Sequence, residues 1–288
     1  MTDIFDFEPS IDEYAVMGNP VAHSKSPLIH SAFAQQTQQR IHYSAIQVDP
    51  GGFRQAVGNF FANGGKGLNV TVPFKQEAWQ LADERSERAE LAGAVNTLLQ
   101  HGERLYGDST DGIGLVRDLV QNLHITLNGK RLLIIGAGGA ARGVIQPLLN
   151  ENPELLVITN RTADKAYELA TLFNNHSNQQ NNAVIKGSSF TDLDDQAFDI
   201  VINATSASLK GDVPAIPQTV FSRDTWCYDM MYGAALTVFL QWVKQCGVVQ
   251  LSDGLGMLVE QAAESFYLWR GVRPETGPVI QQLRDSLK

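Results

Sequence analysis

In the segment GLNVTVPFKQ (residues 67–76) a lysine, Lys75, follows directly on Val70, Thr71, Val72 and Phe74, which read as a short buried strand. Lysine is among the residues least often buried. Lys75 therefore either marks the exit of the chain to solvent or stands at a strand end, where α/β proteins place their ligands. A second concentration of chemistry lies in RLLIIGAGGAARGVI, Arg131 to Ile145, where Gly136, Gly138 and Ala141 spell G-x-G-x-x-A between an apolar run and a helical pattern. In that setting the first glycine permits a tight turn, the second lets phosphates approach the backbone, and the alanine lets helix and strand pack closely. Backbone N–H groups and the helix N-terminus then hold a pyrophosphate, so the motif points to a dinucleotide.

The next strand pattern, LLVITN, ends in Asn160, Arg161 and Thr162. A carboxylate there would accept hydrogen bonds from a ribose 2′-hydroxyl and repel a 2′-phosphate. Arg161 instead offers a planar array of donors, with Lys165 one helical turn later, and Asp164 beside them opposes that attraction. In GNPVAHSKSPLIHSAF, Ser24 and Ser26 flank Lys25 just before Pro27. Serine followed by proline is an ordinary helix start, with Ser26 suited to cap it. Two hydroxyls at a helix N-terminus also make a neutral site for one carboxylate.

The elements that must position these residues alternate. YAVMG, SPLIHSAFAQQT, HYSAIQV, FRQAVGNFFANG, GLNVTV and the helical EAWQLADERSERAELAG leading to AVNTLLQ form a βαβα pattern. That pattern implies a largely parallel sheet covered by helices. A second α/β unit begins near Asp111, with strands at RLLII, LLVIT, FDIVINAT and TWCYDM. The polar run NNHSNQQNN, Asn174 to Asn182, reads as a solvated loop at a helix end. From Asp253 onwards the periodicity is helical with no strand to follow, so the last helices are free to pack back on the first unit.

At 288 residues the chain has room for two domains, and 43% hydrophobic with 18% charged residues is the balance of a globular protein. No apolar run reaches the roughly 18 residues of a membrane helix, and the acidic start MTDIFDFEPS lacks a signal peptide's apolar core, so a cytoplasmic protein is expected. A net charge of −9 argues against nucleic acid or an anionic membrane as partner, so any anionic ligand is held by local contacts. The two cysteines, Cys227 and Cys246, and six scattered histidines show no metal-ligand spacing. His23 and His30 read as ordinary loop and helix residues.

The ordered set SKSPxxH, NVTVPFK, AGAVNTL, GDSTDGIG, GAGGAAR, NRT, NATS and MLVEQAA resembles the shikimate dehydrogenase family from about Tyr14 to the C-terminal helices. The resemblance implies an α/β protein of two α/β domains. One is an N-terminal substrate domain completed by C-terminal helices (1–111 plus 254–288), the other a Rossmann-like NADP-binding domain (112–253). It implies reversible reduction of 3-dehydroshikimate to shikimate by NADPH, in aromatic amino-acid synthesis. Lys75 and Asp111 match the catalytic pair. Ser24, Ser26, Thr71, Asn96, Gln261 and Tyr232 match substrate-binding residues, Tyr232 at a position near the nicotinamide. Gly136, Ala137, Gly138, Gly139, Ala140 and Ala141 match the phosphate loop, which runs on to Arg142. Asn160, Arg161, Thr162 and Lys165 match the 2′-phosphate segment, and Thr205, Met230 and Gly254 match positions along the rest of the cofactor. No metal is implied, and the assembly is expected to be a monomer or homodimer.

The chemistry agrees with that assignment. Hydride transfer to a ketone leaves negative charge on oxygen, which a positioned ammonium stabilises and protonates. Asp111 taken alone also reads as the N-cap of a helix in STDGIG. Two rival functions are a quinate/shikimate dehydrogenase using NAD, which an acid among residues 160–162 would favour, and a non-catalytic shikimate-binding regulator.

Overall fold

Two six-stranded sheets organise the chain in this computed structural model, which describes residues 11–177, 183–193 and 197–288. The first contains β1 (Asp12–Gly18), β2 (Ile41–Gln47), β3 (Gly67–Val70), β4 (Glu84–Arg85), β5 (Thr97–His101) and β6 (Arg104–Asp108), in the order β2-β1-β3-β5-β6-β4. Its helices are α1 (Ser26–Thr37), α2 (Phe53–Ala62), α3 (Lys75–Leu81) and α4 (Glu87–Ala92). β1 runs parallel to β2 and β3, but β5 is antiparallel to both β3 and β6. The sheet is thus mixed where a largely parallel one was expected. The short Gly102–Glu103 turn sends β6 straight back along β5, a hairpin that needs no crossover helix.

Two further local expectations change. The helical stretch 77–93 is split: α3 ends at Leu81, β4 intervenes, and Ser86 caps α4 by accepting from the Ala89 N–H at 3.1 Å. The strand expected to run to Val72 stops at Val70, because Pro73 has no N–H for a ladder and Thr71 to Phe74 close a turn instead (Phe74 N to Thr71 O, 3.0 Å). Val72 is exposed there.

After α5 (Asp111–Arg117) comes the second sheet: β7 (Arg131–Ile135), β8 (Leu155–Thr159), β9 (Val184–Ser188), β10 (Ile200–Asn203), β11 (Trp226–Asp229) and β12 (Gln250–Asp253). All its pairings are parallel, in the order β12-β11-β10-β7-β8-β9. This is the doubly wound dinucleotide-binding order, with its reversal between β7 and β10. α6 (Gly139–Leu149) and α7 (Ala163–Ser177) bury one face against Leu132, Ile134 and Ile158, while α8 (Val238–Gln245) covers Leu133, Ile135 and Val201 on the other. Residues 174–177 of the polar run belong to α7, and 178–182 lie outside the described residues.

The chain then returns. α9 (Leu255–Arg270) and α10 (Gly277–Ser286) pack on α1 through Val259, Ala262, Phe266 and Leu283 against Ile29 and Phe33. α5 is wedged between α6 and α9. A β-carbon on Gly112 would lie 2.4 Å from the Gly143 carbonyl oxygen of α6, and one on Gly114 would lie 2.7 Å from the Gln261 nitrogen of α9. The architecture is therefore two α/β domains, the first completed by C-terminal helices. Among the described residues no helix is long and apolar enough to cross a membrane.

Candidate active site

A cleft of about 350 Å³ opens between the ends of β1, β3 and β5 and the segments that follow β11 and β12. Every residue assigned to substrate from the sequence lines it: Ser24, Ser26, Thr71, Lys75, Asn96, Asp111, Tyr232 and Gln261. Met230 and Gly254, assigned to the cofactor, line it as well. The remaining cofactor residues, Gly136 to Ala141, Asn160, Arg161, Thr162, Lys165 and Thr205, are not part of its lining and lie beyond the C-terminal ends of β7, β8 and β10.

Lys75 is not at a strand end but opens α3, after the 71–74 turn. Two contacts anchor that turn: Phe74 is fully buried and stacked on Phe53 (centroids 4.9 Å apart), and the Thr71 N–H donates to Met17 O at 2.9 Å. Lys75 Nζ then donates to Asp111 Oδ2 at 2.5 Å, with both side chains partly exposed to the cleft. Asn96 holds the other carboxylate oxygen, its Nδ2 lying 2.9 Å from Asp111 Oδ1, while its own Oδ1 accepts from the Thr110 N–H at 2.9 Å. The Val95 N–H donates to Lys75 O at 2.9 Å, so the residue before Asn96 also fixes the Lys75 backbone.

Neither capping expectation holds. Thr110 is the N-cap of α5 and Asp111 is its first helical residue, so the carboxylate is free to face Lys75. At α1 the N-cap is Lys25, and Ser26 is already helical. Its N–H donates to Ser24 Oγ at 3.3 Å, which keeps the two hydroxyls side by side at the cleft. Gln261 reaches in from α9, its Oε1 accepting from Asn96 Nδ2 at 3.2 Å and its Nε2 donating to Leu258 O at 2.8 Å. Burial and the nearby Asp253 carboxylate raise the Tyr232 hydroxyl pKa, keeping it a neutral donor and acceptor.

Sequence reasoning passed over Asn69. It is buried in the middle of β3, lines the cleft, and joins several elements. Its Oδ1 accepts from Tyr43 Oη at 2.7 Å and meets His30 Nε2 at 3.1 Å, and its Nδ2 reaches Ser265 Oγ at 3.0 Å. The available signal was a polar residue in an otherwise apolar strand, which must find partners when buried. His30 is no ordinary helix residue either. It is fully buried and stacked on Tyr43, and burial pushes its pKa down to about 3 against a smaller upward pull from Asn69. His23, read as a loop residue, lines the cleft.

A buried ionic cluster braces the elements behind the pair. Arg88 of α4 forms a bidentate pair with Asp108 (2.7 Å for both contacts), and Glu264 of α9 accepts from Arg88, Arg117 and Arg273. Burial alone would raise the Glu264 carboxyl, but hydrogen bonds and charge from those arginines outweigh it and hold it down to about 2.

The residues along the second sheet fit a dinucleotide. Gly136 has φ of +113°, and a β-carbon there would come within 3.0 Å of Thr205 Cγ2. Gly138 and Gly139 are exposed at the start of α6, and β-carbons on them would project into open space, room that phosphates can occupy. No acid ends β8: Asn160 Nδ2 folds back on Thr162 O at 2.9 Å, and Arg161 and Lys165 are exposed beyond it, a donor set suited to a 2′-phosphate. Among the described residues no group of three or more His, Cys, Asp or Glu is placed to hold a metal ion.

Family models agree along the chain. Residues 16–98 match the shikimate dehydrogenase substrate binding domain, 118–210 the shikimate / quinate 5-dehydrogenase family, and 254–284 the shikimate 5′-dehydrogenase C-terminal domain. A shikimate dehydrogenase (NADP(+)) of Hahella chejuensis is 56% identical over 276 residues, covering 96% of this chain and 100% of that protein. The crystal structure of an Ael1 enzyme from Pseudomonas putida superposes with a TM-score of 0.89 at 47% identity, covering 94% of this chain and 98% of that one. A shikimate dehydrogenase crystallised in complex with NADP+ does so with a TM-score of 0.85 at 32% identity, covering 96% of each chain. With a cleft lined by the residues that carried the resemblance, and full-length relatives above half identity, the chain belongs to the shikimate dehydrogenase family.

Proposed function

We propose that this chain catalyses the reversible, NADPH-dependent reduction of 3-dehydroshikimate to shikimate. The observation that carries the reading is the Lys75–Asp111 pair, set in a cleft whose opposite wall, Met230 and Gly254, belongs to the ends of a dinucleotide-binding sheet. NADPH, when bound, supplies a hydride to the ketone carbon.

The chain's own residues do the rest. Ser24 and Ser26 take the substrate carboxylate, while Thr71, Asn96, Tyr232 and Gln261 orient the ring. Lys75 gives a proton from Nζ to the ketone oxygen as the carbonyl electron pair moves onto it, and Asp111 aims the ammonium. In the oxidative direction Lys75 takes that proton back. Gly136 to Ala141 hold the pyrophosphate, with Asn160, Arg161, Thr162 and Lys165 at the adenosine 2′-phosphate and Thr205 beside the phosphate turn. The working division is a substrate domain of residues 1–111 plus 254–288 and a cofactor domain of residues 112–253. Support for it comes from α9 and α10 packing on α1 and from a second sheet lying wholly within 131–253.

Initial rates with shikimate and quinate, each with NADP and with NAD, test the function. The highest efficiency is expected for shikimate with NADP. A preference for quinate with NAD would move the chain to the broader dehydrogenase class, and no turnover in any combination would leave a shikimate-binding regulator.

A further inference from the structure

Asp229, the last residue of β11, is fully buried and does not line the cleft, yet both its oxygens are occupied. Oδ1 accepts from Asn203 Nδ2 at 3.2 Å and from the Met231 N–H at 3.1 Å. Oδ2 accepts from Ser208 Oγ at 2.8 Å and Thr237 Oγ1 at 2.6 Å. A carboxylate is costly to bury unless donors surround it, and these donors come from three places: the end of β10, the turn after it, and the segment after β11.

The contacts continue outward on both sides. Asn203 Oδ1 accepts from the Thr205 N–H at 3.1 Å and from Thr205 Oγ1 at 2.7 Å, and Thr205 Cγ2 fills the space against Gly136. On the other side, Met231 O accepts from the Gly254 N–H at 3.1 Å, and Met230 and Gly254 form the cleft wall. One buried group is therefore linked by hydrogen bonds to the cleft wall and, through Thr205, to the phosphate turn. Arg161 follows β8, on the far side of β7 and β10 from β11.

We infer that Asp229 is a positioning residue for the nicotinamide end of the cofactor, acting through Asn203–Thr205 and Met231–Gly254, and that the adenosine end is independent of it. The inference rests on the dehydrogenase reading above. Asp229→Asn keeps the shape but presents an amide N–H to donors on one side, so the two loops lose their common anchor.

The test uses the full chain and two ligands. Calorimetry with adenosine 2′-monophosphate, which has the 2′-phosphate but no 5′-phosphate to meet the Gly136–Ala141 turn, should give an affinity within about twofold of wild type, since the contacts at Arg161 are untouched. The fluorescence of bound NADPH, which reports the nicotinamide surroundings, should shift towards that of free NADPH. Turnover should fall roughly 10²-fold, the scale of a small misplacement of a reacting group, with a larger primary isotope effect from 4-deuterated NADPH. Equal losses of 2′-monophosphate affinity and turnover would overturn the inference in favour of a general structural role, as would wild-type fluorescence and turnover. Should Asp229→Asn fail to fold, Ser208→Ala removes one donor and must move fluorescence and isotope effect in the same direction; wild-type behaviour there overturns the inference. A wild-type chain inactive on 3-dehydroshikimate would sink the proposed reaction, while the 2′-monophosphate and fluorescence comparison would still judge Asp229.

Discussion

Lys75 Nζ lies 2.5 Å from Asp111 Oδ2, although the two stand 36 positions apart in sequence. Each opens a helix, α3 and α5, and the two residues just before β5 are bonded to them, Val95 to Lys75 and Asn96 to Asp111. The ammonium is thus aimed by secondary structure on either side of it rather than by its own flexible stem.

Replacing Lys75 by Ala should lower kcat by ~10²- to 10⁴-fold, the usual worth of a general acid, while substrate affinity stays within about tenfold. Asp111→Asn should resemble it, because an amide orients the ammonium less strongly. Steady-state kinetics at saturating substrate provide the check, and a Lys75→Ala enzyme retaining more than about half the normal turnover would remove Lys75 from the chemistry.

Ser24→Ala and Ser26→Ala should raise KM for shikimate more than they lower kcat, since a carboxylate remote from the reacting carbon is bound alike in ground and transition states. Each lost hydrogen bond to a charged group costs roughly 1.5 to 3 kcal/mol. The Ser26 side chain does not cap α1, so thermal unfolding of Ser26→Ala should lack the drop that follows loss of a cap. Unchanged KM in both variants would leave these serines a local role only.

Arg161→Ala should weaken NADP by about 10- to 150-fold in KM through loss of a charge-assisted contact to the 2′-phosphate, and barely change NAD. Arg161→Asp should narrow the preference further by adding repulsion and offering the ribose hydroxyls an acceptor. Rates with both cofactors at low salt measure this. Equal movement of the NADP and NAD constants would mean that the end of β8 does not read the phosphate.

His30 makes stability depend on pH with a defined sign. Burial lowers its pKa from 6.5 to about 3, so as pH falls from 6.5 the unfolded chain binds a proton that the folded chain refuses. The stabilisation is therefore complete above pH 6.5 and is lost as pH falls towards 3, at up to about 1.4 kcal/mol per pH unit. His30→Gln gives up the stacking on Tyr43 and should be less stable at neutral pH, yet its stability gap to wild type should shrink as pH falls. Urea unfolding of both proteins from about pH 7 to pH 4 measures the gap, and a constant gap would show that His30 titrates alike in both states.

What could be read ahead of the structure was local or carried by motif. The Gly136–Ala141 turn is a contiguous signal, because the strand before it and the helix after it are its own context. Lys75 was found for its type and position even though the supposed strand end is a turn closed by Pro73. Asp111 is different: its neighbours spell a helix start, and only the resemblance singled it out. Asn69 and His30 could not be ranked in advance, because their importance lies in partners from β2, β5 and α9 (Tyr43, Thr97 and Ser265) that only the tertiary fold brings together. The direction of β5 had the same difficulty, since alternation along a strand says nothing about which way its neighbour runs.

The return of α9 and α10 to the first sheet has a consequence for the order of events on the ribosome. Chains emerge N-terminus first, and domains fold as they become complete. The strands of the second sheet arrive in one unbroken stretch, so that half can close as soon as β12 is out. The half that is made first must wait longest: Ile29 and Phe33 of α1 have no cover, and Asn96 and Asn69 lack Gln261 and Ser265, until the final helices appear. Nascent chains halted before α9 would carry a complete second sheet beside open apolar faces on α1 and α5, the kind of surface that holdase chaperones and proteases recognise.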